Sequence, residues 1–110
     1  MYVDFTAGNK QYKLRLNTRN TIALEEKLGC NPLGIFGNGD NLPHVSVMVQ
    51  ILHASLQQFH HGITVRDAED IFDNYLEENT MTDFIAVIVE IYKASGLIKV
   101  DEVEDEEAKN

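Results

Sequence analysis

The sequence predicts an α+β protein that is mostly α-helical, with an N-terminal β-hairpin packed on a bundle of about four helices. Three observations predict this class. A Gly-Asn pair at residues 8–9 separates two short alternating segments, four later segments carry apolar residues at helical spacing, and two of these open with capping-box patterns. The chain has 110 residues, and we expect residues 1–100 to form a single globular domain.

The hairpin is expected over residues 2–17, with its two-residue loop fixing the register. In that register Phe5 faces Tyr12, and Asp4 faces Lys13. Apolar side chains then share one face of the hairpin, and an opposite-charge pair lies on the other. An isolated hairpin is marginal in water, so we expect its apolar face to lie on helices.

Four helices are expected after the hairpin. Thr18 or Asn20 can cap the first, and Gly29 suits its C-terminal end. The third and fourth open with capping boxes at residues 64–67 and 80–83. The four predicted helices cover residues of about 19–28, 43–59, 65–78 and 81–95.

The second and fourth helices carry more apolar side chains than one small core readily hides. In the second, an apolar stripe runs from Val45 to Phe59, and further apolar residues widen it. The fourth is apolar nearly all round and closes in a Schellman-like pattern at residues 95–97. Such helices either lie at the centre of a domain or are buried against another chain. Both interpretations stay open.

The loop over residues 30–42 holds three glycines and no helical periodicity. Loops of this length in small domains are usually functional or mobile. Ile35 and Phe36 within it either contact a partner or pack back over the core. The apolar surplus of the loop and of the two helices gives these candidate partner-binding residues: Ile35, Phe36, Val47, Ile51, Ile85 and Val89.

The charge balance narrows the function classes. The chain carries 18 acidic and 9 basic side chains, a net charge of -9, which disfavours nucleic acid and anionic membranes as partners. Residues 101–110 supply -5 of that charge, and we expect them to form a disordered acidic tail. The single cysteine, Cys30, and the lack of a signal-peptide pattern or a long apolar run predict a soluble cytoplasmic protein.

The sequence pattern predicts no metal-binding site, no cofactor-binding site and no catalytic site. His53 and His60 lie two helical turns apart, too far to share one ion, and His60-His61 suits the negative end of a helix instead. The glycines of residues 34–39 lack the preceding strand and the following Lys of phosphate-binding loops. Cys30 follows the helix-ending Gly29 and does not open a helix, so the sequence does not predict it as a nucleophile, and the carboxylates of residues 67–78 indicate a solvated face.

The order of these segments resembles that of a known family. The matching features are YKLRLNT at residues 12–18, TIALEEKLG at 21–29, NPL at 31–33, and the helical segments 45–56, 64–76 and 84–97. With these features the chain resembles the tail assembly chaperones of long-tailed phages and prophages from Gram-positive hosts. The similarity covers about residues 2–98.

The resemblance implies a non-enzymatic protein that binds the helical tape measure protein and keeps it soluble until tail tube subunits polymerise around it. Family members then leave, so the chain is expected in the host cytoplasm and not in the mature virion. Several members self-associate, and many also exist in a longer, frameshifted form. On this hypothesis Val47→Asp or Ile51→Asp should leave the monomer folded and abolish partner binding.

Two alternatives come from other classes. An acidic decoy could mimic DNA with the carboxylates of residues 67–78 and the tail, although residues 1–30 hold five bases against three acids. The second alternative is a small structural subunit of a head–tail junction. Reversal of partner capture by moderate salt would favour the decoy, and presence in purified virions would favour the structural subunit.

Overall fold

The computed structural model describes residues 1–36 and 42–99. Of the described residues, 57% are helical and 11% lie in strands, which confirms the α+β, mostly α class. The segment 101–110, for which the sequence predicts disorder, lies outside the described residues. The elements are β1 (Val3–Ala7), β2 (Lys10–Leu14), α1 (Thr18–Leu28), a 3-10 helix (Pro32–Phe36), α2 (Val45–Leu56), α3 (Val65–Leu76) and α4 (Met81–Ala94).

The hairpin of β1 and β2 has the predicted register. Phe5 pairs with Tyr12 and Asp4 with Lys13. Gly8 has a φ of 63°, while every described non-glycine residue has a negative φ, which is the pattern of a type II′ turn. Phe5 is buried and Tyr12 half-buried, whereas Asp4 and Lys13 are exposed, so one face of the hairpin is covered and the other faces solvent.

An aromatic cluster joins the hairpin to the helices. Phe5 stacks on Tyr75 of α3 with 4.9 Å between ring centroids, and it meets Phe84 of α4 edge-on at 6.0 Å. Phe72 of α3 meets Phe84 in the same edge-on manner at 5.1 Å. Aromatic pairs of this geometry contribute about 0.5–1.5 kcal/mol beyond their buried area. The apolar face of the hairpin therefore lies on α3 and α4.

Helix α1 is capped by a residue that the sequence prediction missed. Asn17 is the N-cap, and its side-chain oxygen accepts a hydrogen bond from the N–H of Asn20 at 2.8 Å. The predicted caps Thr18 and Asn20 are wrong because Asn17 keeps an extended backbone, with ψ at 172°, while the helix already begins at Thr18. The C-terminal cap at Gly29 is confirmed, with a φ of 71°.

The other predicted caps are confirmed. The hydroxyl of Thr64 accepts from the N–H of Asp67, and the Asp67 carboxylate accepts from the N–H of Thr64, both at 3.0 Å. Thr80 and Asp83 exchange the same two bonds at the start of α4. The last turn of α4 closes in the predicted Schellman arrangement, with Gly96 at a φ of 78°.

Helix α2 is shorter than the predicted segment 43–59. His44 is its N-cap and has an extended backbone, with ψ at 154°, so the helix begins only after it. At the other end the Gln57 side-chain amide donates to the Ile63 carbonyl at 2.8 Å and holds the turn that leads into α3. The remaining helices match their predicted bounds within two residues. In the described ranges, no helix is long and apolar enough to cross a membrane.

The chain after β2 is fastened to two helices. The N–H of Arg15 donates to the Ser55 carbonyl of α2 at 2.9 Å. The next N–H, that of Leu16, donates to the hydroxyl of Ser95 at the end of α4, at 2.8 Å. The hairpin is therefore held to the helices by main-chain hydrogen bonds as well as by its apolar face.

Candidate partner-binding surface

The central helix of the fold is α2, which contacts α1, α3, α4 and β2. Ile51 lies in this helix and is fully buried. The prediction that Ile51 belongs to an apolar surface open to a partner is therefore corrected: neighbouring elements surround α2, and Ile51 faces them. The interpretation of an apolar helix at the centre of the domain holds for this part of α2.

A groove forms where the 3-10 helix approaches the start of α2. Its volume is about 480 Å³. It brings together Ile35 and Val47, two of the predicted contact residues. Ile35 is 8% exposed and forms the floor, while Val47 is half-buried. We call this feature the 3-10 groove, and it is lined by Cys30, Gly34, Ile35, Leu42, Pro43, His44 and Val47.

Exposed apolar side chains flank the 3-10 groove. Leu42 is 56% exposed and Val45 43%, and both lie at the approach to α2. On the 3-10 helix, Phe36 is 41% exposed and Leu33 38%. A concentration of exposed apolar side chains around a concave surface is typical of a protein-binding site. Half of the large hydrophobic side chains exposed in the described ranges lie in these two short segments.

The position of the 3-10 helix is fixed by α4. The Tyr92 hydroxyl donates to the Pro32 carbonyl at 2.9 Å, and the Tyr92 ring meets Phe36 edge-on at 6.0 Å. Burial, with a smaller contribution from nearby Cys30, raises the pKa of the Tyr92 phenol above its ordinary value of 10, so the hydroxyl stays a donor. The Asn31 side chain accepts from the N–H of Leu33 at 2.9 Å and starts the turn.

Among the residues that the structure describes, those lining the 3-10 groove include no carboxylate, lysine or arginine. At one end lies the start of α2, where the His44 side chain makes no capping hydrogen bond and the first turn holds no acidic residue. Within the described part of the chain, the N–H groups of Val45 and Ser46 have no hydrogen-bond acceptor. The groove thus carries the positive end of a helix dipole at one side.

The predicted contact residues of α4 lie elsewhere. Ile85 and Val89 are both half-buried, and neither lines the 3-10 groove. Ile85 packs against the hydrophobic core. The structure therefore joins Ile35 and Val47 in one groove with Phe36 beside it, whereas Ile85 and Val89 are not among the groove-lining residues.

Leu42 and Val45 are contact candidates that the sequence analysis did not propose. Val45 begins the apolar stripe that runs to Phe59, and the two ends of this stripe are 43% and 39% exposed. They lie at or beyond the ends of α2, where the neighbouring elements no longer cover them. Their positions next to loops, at the limits of an apolar run, are the signal that could have identified them.

A larger cleft lies between the hairpin turn and α3, with a volume of about 690 Å³. Its walls carry Asp67, Asp70, Glu77 and Lys10, and Ile71 lies among them. Hydrogen bonds from Thr64 lower the pKa of the exposed Asp67 carboxyl. This cleft differs from the 3-10 groove because charged side chains line it.

His60 has a role other than the predicted one at a helix end. Helix α2 ends at Leu56, and the His60 ring nitrogen Nε2 accepts a hydrogen bond from the N–H of Lys13 at 2.9 Å. An acceptor nitrogen must be unprotonated. Burial, together with the charge of Lys13, lowers the pKa of His60 and favours this neutral form. The neutral His60 therefore holds β2 through this hydrogen bond. The sequence had predicted instead that His60 interacts with the negative end of a helix dipole.

The described residues contain no group of three or more His, Cys, Asp or Glu side chains that could hold a metal ion. Cys30 is exposed and unpaired with another cysteine. Comparison of the chain with protein-family models, curated proteins and solved structures gave no match.

Proposed function

We propose that this chain is a non-enzymatic tail assembly chaperone of a long-tailed phage or prophage, which binds helical segments of the tape measure protein and keeps that protein soluble during tail assembly. The observation that carries the proposal is the 3-10 groove with its exposed apolar flank. The resemblance of the segment pattern supplies the class of partner. The chain acts in the bacterial cytoplasm and leaves before the virion is complete.

The shape of the 3-10 groove suits an amphipathic helix. A partner helix presents apolar side chains at i, i+3, i+4 and i+7, and one or two of these can enter a groove of about 480 Å³. Leu42 and Val45 would then cover the remaining apolar stripe of the partner. Phe36 would extend the contact on the side of the 3-10 helix, because it is exposed next to Ile35.

The charge distribution supports the role of keeping a partner dispersed. The net charge of the chain is -9, while the groove-lining residues within the described ranges include no carboxylate, lysine or arginine. The acidic side chains of α3 are exposed. Complexes that carry like charge on their outer surface repel one another, which opposes aggregation of a long apolar partner.

The test is co-expression with the tape measure protein, which is expected from a very long helical reading frame just downstream of this gene. Two variants place a charge in the contact surface: Leu42→Asp and Val45→Asp. Val45 is the first residue of α2, where a carboxylate interacts favourably with the helix dipole, so Val45→Asp should fold at least as stably as the wild type. We therefore expect loss of binding by this variant to reflect the changed contact surface and not unfolding.

The matched control is Ile22→Asp. Ile22 is 52% exposed on α1 and does not line the 3-10 groove. We expect the wild type and Ile22→Asp to keep the tape measure protein in the supernatant, and both groove variants to lose it to the pellet. Equal solubilisation by all four proteins would contradict the proposal, as would finding the chain in purified virions.

A further inference from the structure

The outer edge of β1 has unpaired main-chain groups. In an antiparallel hairpin every second residue directs its N–H and C=O away from the partner strand. The two-residue turn puts Val3, Phe5 and Ala7 in the bonded pairs, so Asp4 and Thr6 point outward. Among the described residues, no hydrogen bond reaches the outward main-chain groups of Asp4 or Thr6.

The opposite edge of the sheet is partly covered. The outward N–H of Lys13 donates to His60, and that of Arg15 donates to the Ser55 carbonyl, each at 2.9 Å. Proteins usually protect open edges with proline, lysine, a bulge or a covering segment. Strand β1 has no proline, no lysine and an unbroken ladder, and its one charged side chain is Asp4. The sheet is therefore open to a further strand at one edge.

We propose that a second copy of this chain occupies the open edge, with the two β1 strands antiparallel about a two-fold axis at Phe5. Asp4 of each copy then exchanges two main-chain hydrogen bonds with Thr6 of the other, which gives four bonds in all. Because both copies use the same edge, this two-fold contact closes as a dimer with a four-stranded sheet. This interface is separate from the 3-10 groove and does not depend on the function proposed for it.

The charges on the solvent face disfavour one alternative register. Pairing shifted by two residues towards the N-terminus would place Asp4 directly opposite Asp4 of the second copy, and like charges directly opposite are destabilising. In the proposed register each Asp4 lies between Lys13 of its own hairpin and Thr6 of the second copy. Each carboxylate therefore has a cation on one side and a hydroxyl group on the other.

The first test compares two proline variants by sedimentation across a dilution series. Thr6→Pro removes the outward N–H of residue 6 in each copy. Two of the four proposed hydrogen bonds are therefore lost. Gln11→Pro is the matched control, because Gln11 lies directly opposite Thr6 and its N–H points to the other edge. We expect the wild type and Gln11→Pro to dimerise alike, and Thr6→Pro to dimerise about 30-fold more weakly.

The second test fixes the register and does not depend on the proline variants folding. Asp4→Cys and Thr6→Cys are combined in a Cys30→Ser background. Bonded antiparallel pairs have Cα atoms about 5.5 Å apart, within disulfide range, so mild oxidation should give a covalent dimer. A wild type that stays monomeric at about 0.1 mM, equal dimerisation of the two proline variants, or no covalent dimer would each overturn the proposal.

Discussion

Removal of a single hydroxyl group tests how the 3-10 groove is built. Tyr92 is fully buried, and its hydroxyl donates to the Pro32 carbonyl at 2.9 Å. Tyr92→Phe keeps the ring and its contact with Phe36 but leaves that buried carbonyl without its donor. A lost hydrogen bond of this kind costs about 1–2 kcal/mol. In a domain of this size that corresponds to a fall in melting temperature of roughly 5–10 °C.

The same change should loosen the groove locally. The bond spans 60 residues of sequence and fastens the 3-10 helix to α4. Without it, we expect the amide protons of Gly34 to Phe36 to exchange with solvent faster than those of α2. Binding of the tape measure protein should weaken as well, because the floor residue Ile35 lies on the released segment.

The matched control is Tyr12→Phe, the same chemical change at a half-buried ring. Tyr12 contacts His60 through its ring, and its hydroxyl has no hydrogen-bond partner in the described part of the chain. Thermal unfolding followed by circular dichroism should show a clear loss for Tyr92→Phe and almost none for Tyr12→Phe. Equal melting temperatures for the two variants would refute the claim that the Tyr92 bond holds the 3-10 helix.

Three further predictions concern the core, the hairpin contact and the helix caps. Ile51→Asp should unfold the chain, at a cost of more than about 3 kcal/mol, because it buries a carboxylate in the centre of the core; a folded variant in circular dichroism would contradict this placement. His60 has a lowered pKa in the folded state, so the unfolded chain takes up its proton first as pH falls below 6.5, and stability should fall with it. Melting curves between about pH 7.5 and 5 should show a smaller loss for His60→Gln, which can still accept from Lys13 but does not titrate. Thr64→Ala and Thr80→Ala should each lower the free energy of unfolding, measured with urea, by about 1 kcal/mol, and the two losses should add in the double variant. A double variant no less stable than either single one would show that the caps are not independent.

The sequence predicts well those features that depend on neighbouring residues. The register of the hairpin follows from a two-residue turn and a side-chain period of two, and the structure reproduces it. The capping boxes at Thr64 and Thr80 need only residues three positions apart. The cap at Asn17 was missed because several polar residues follow one another there, and backbone dihedral angles decide between them.

Burial of individual apolar residues was harder to predict. Val45, Val47 and Ile51 are all β-branched residues of one helix, yet they are exposed, half-buried and fully buried in turn. A helix that is apolar on most sides gives no single direction to the core, so periodicity does not separate these three. The separation comes from the elements packed around α2, which the sequence pattern does not specify.

The contacts that shape the candidate site are long-range. Tyr92 and Pro32 are 60 residues apart, and His60 and Lys13 are 47 residues apart. Side-chain hydrogen bonds of this kind depend on how the helices and strands pack, so local sequence patterns do not predict them. The sequence therefore identified the segment of Ile35 and Phe36 as a candidate surface, but it did not indicate what holds that segment in place.

The central claim is that a partner helix binds in the 3-10 groove, and photo-crosslinking tests it most directly. A photoreactive amino acid replaces Leu42 in one variant and Ile22 in another, and both are irradiated in complex with the tape measure protein. Both side chains are exposed, at 56% and 52%, so both probes are equally accessible to a partner. We expect a crosslinked product from position 42 and none from position 22. Crosslinking from position 22, with none from position 42, would contradict it.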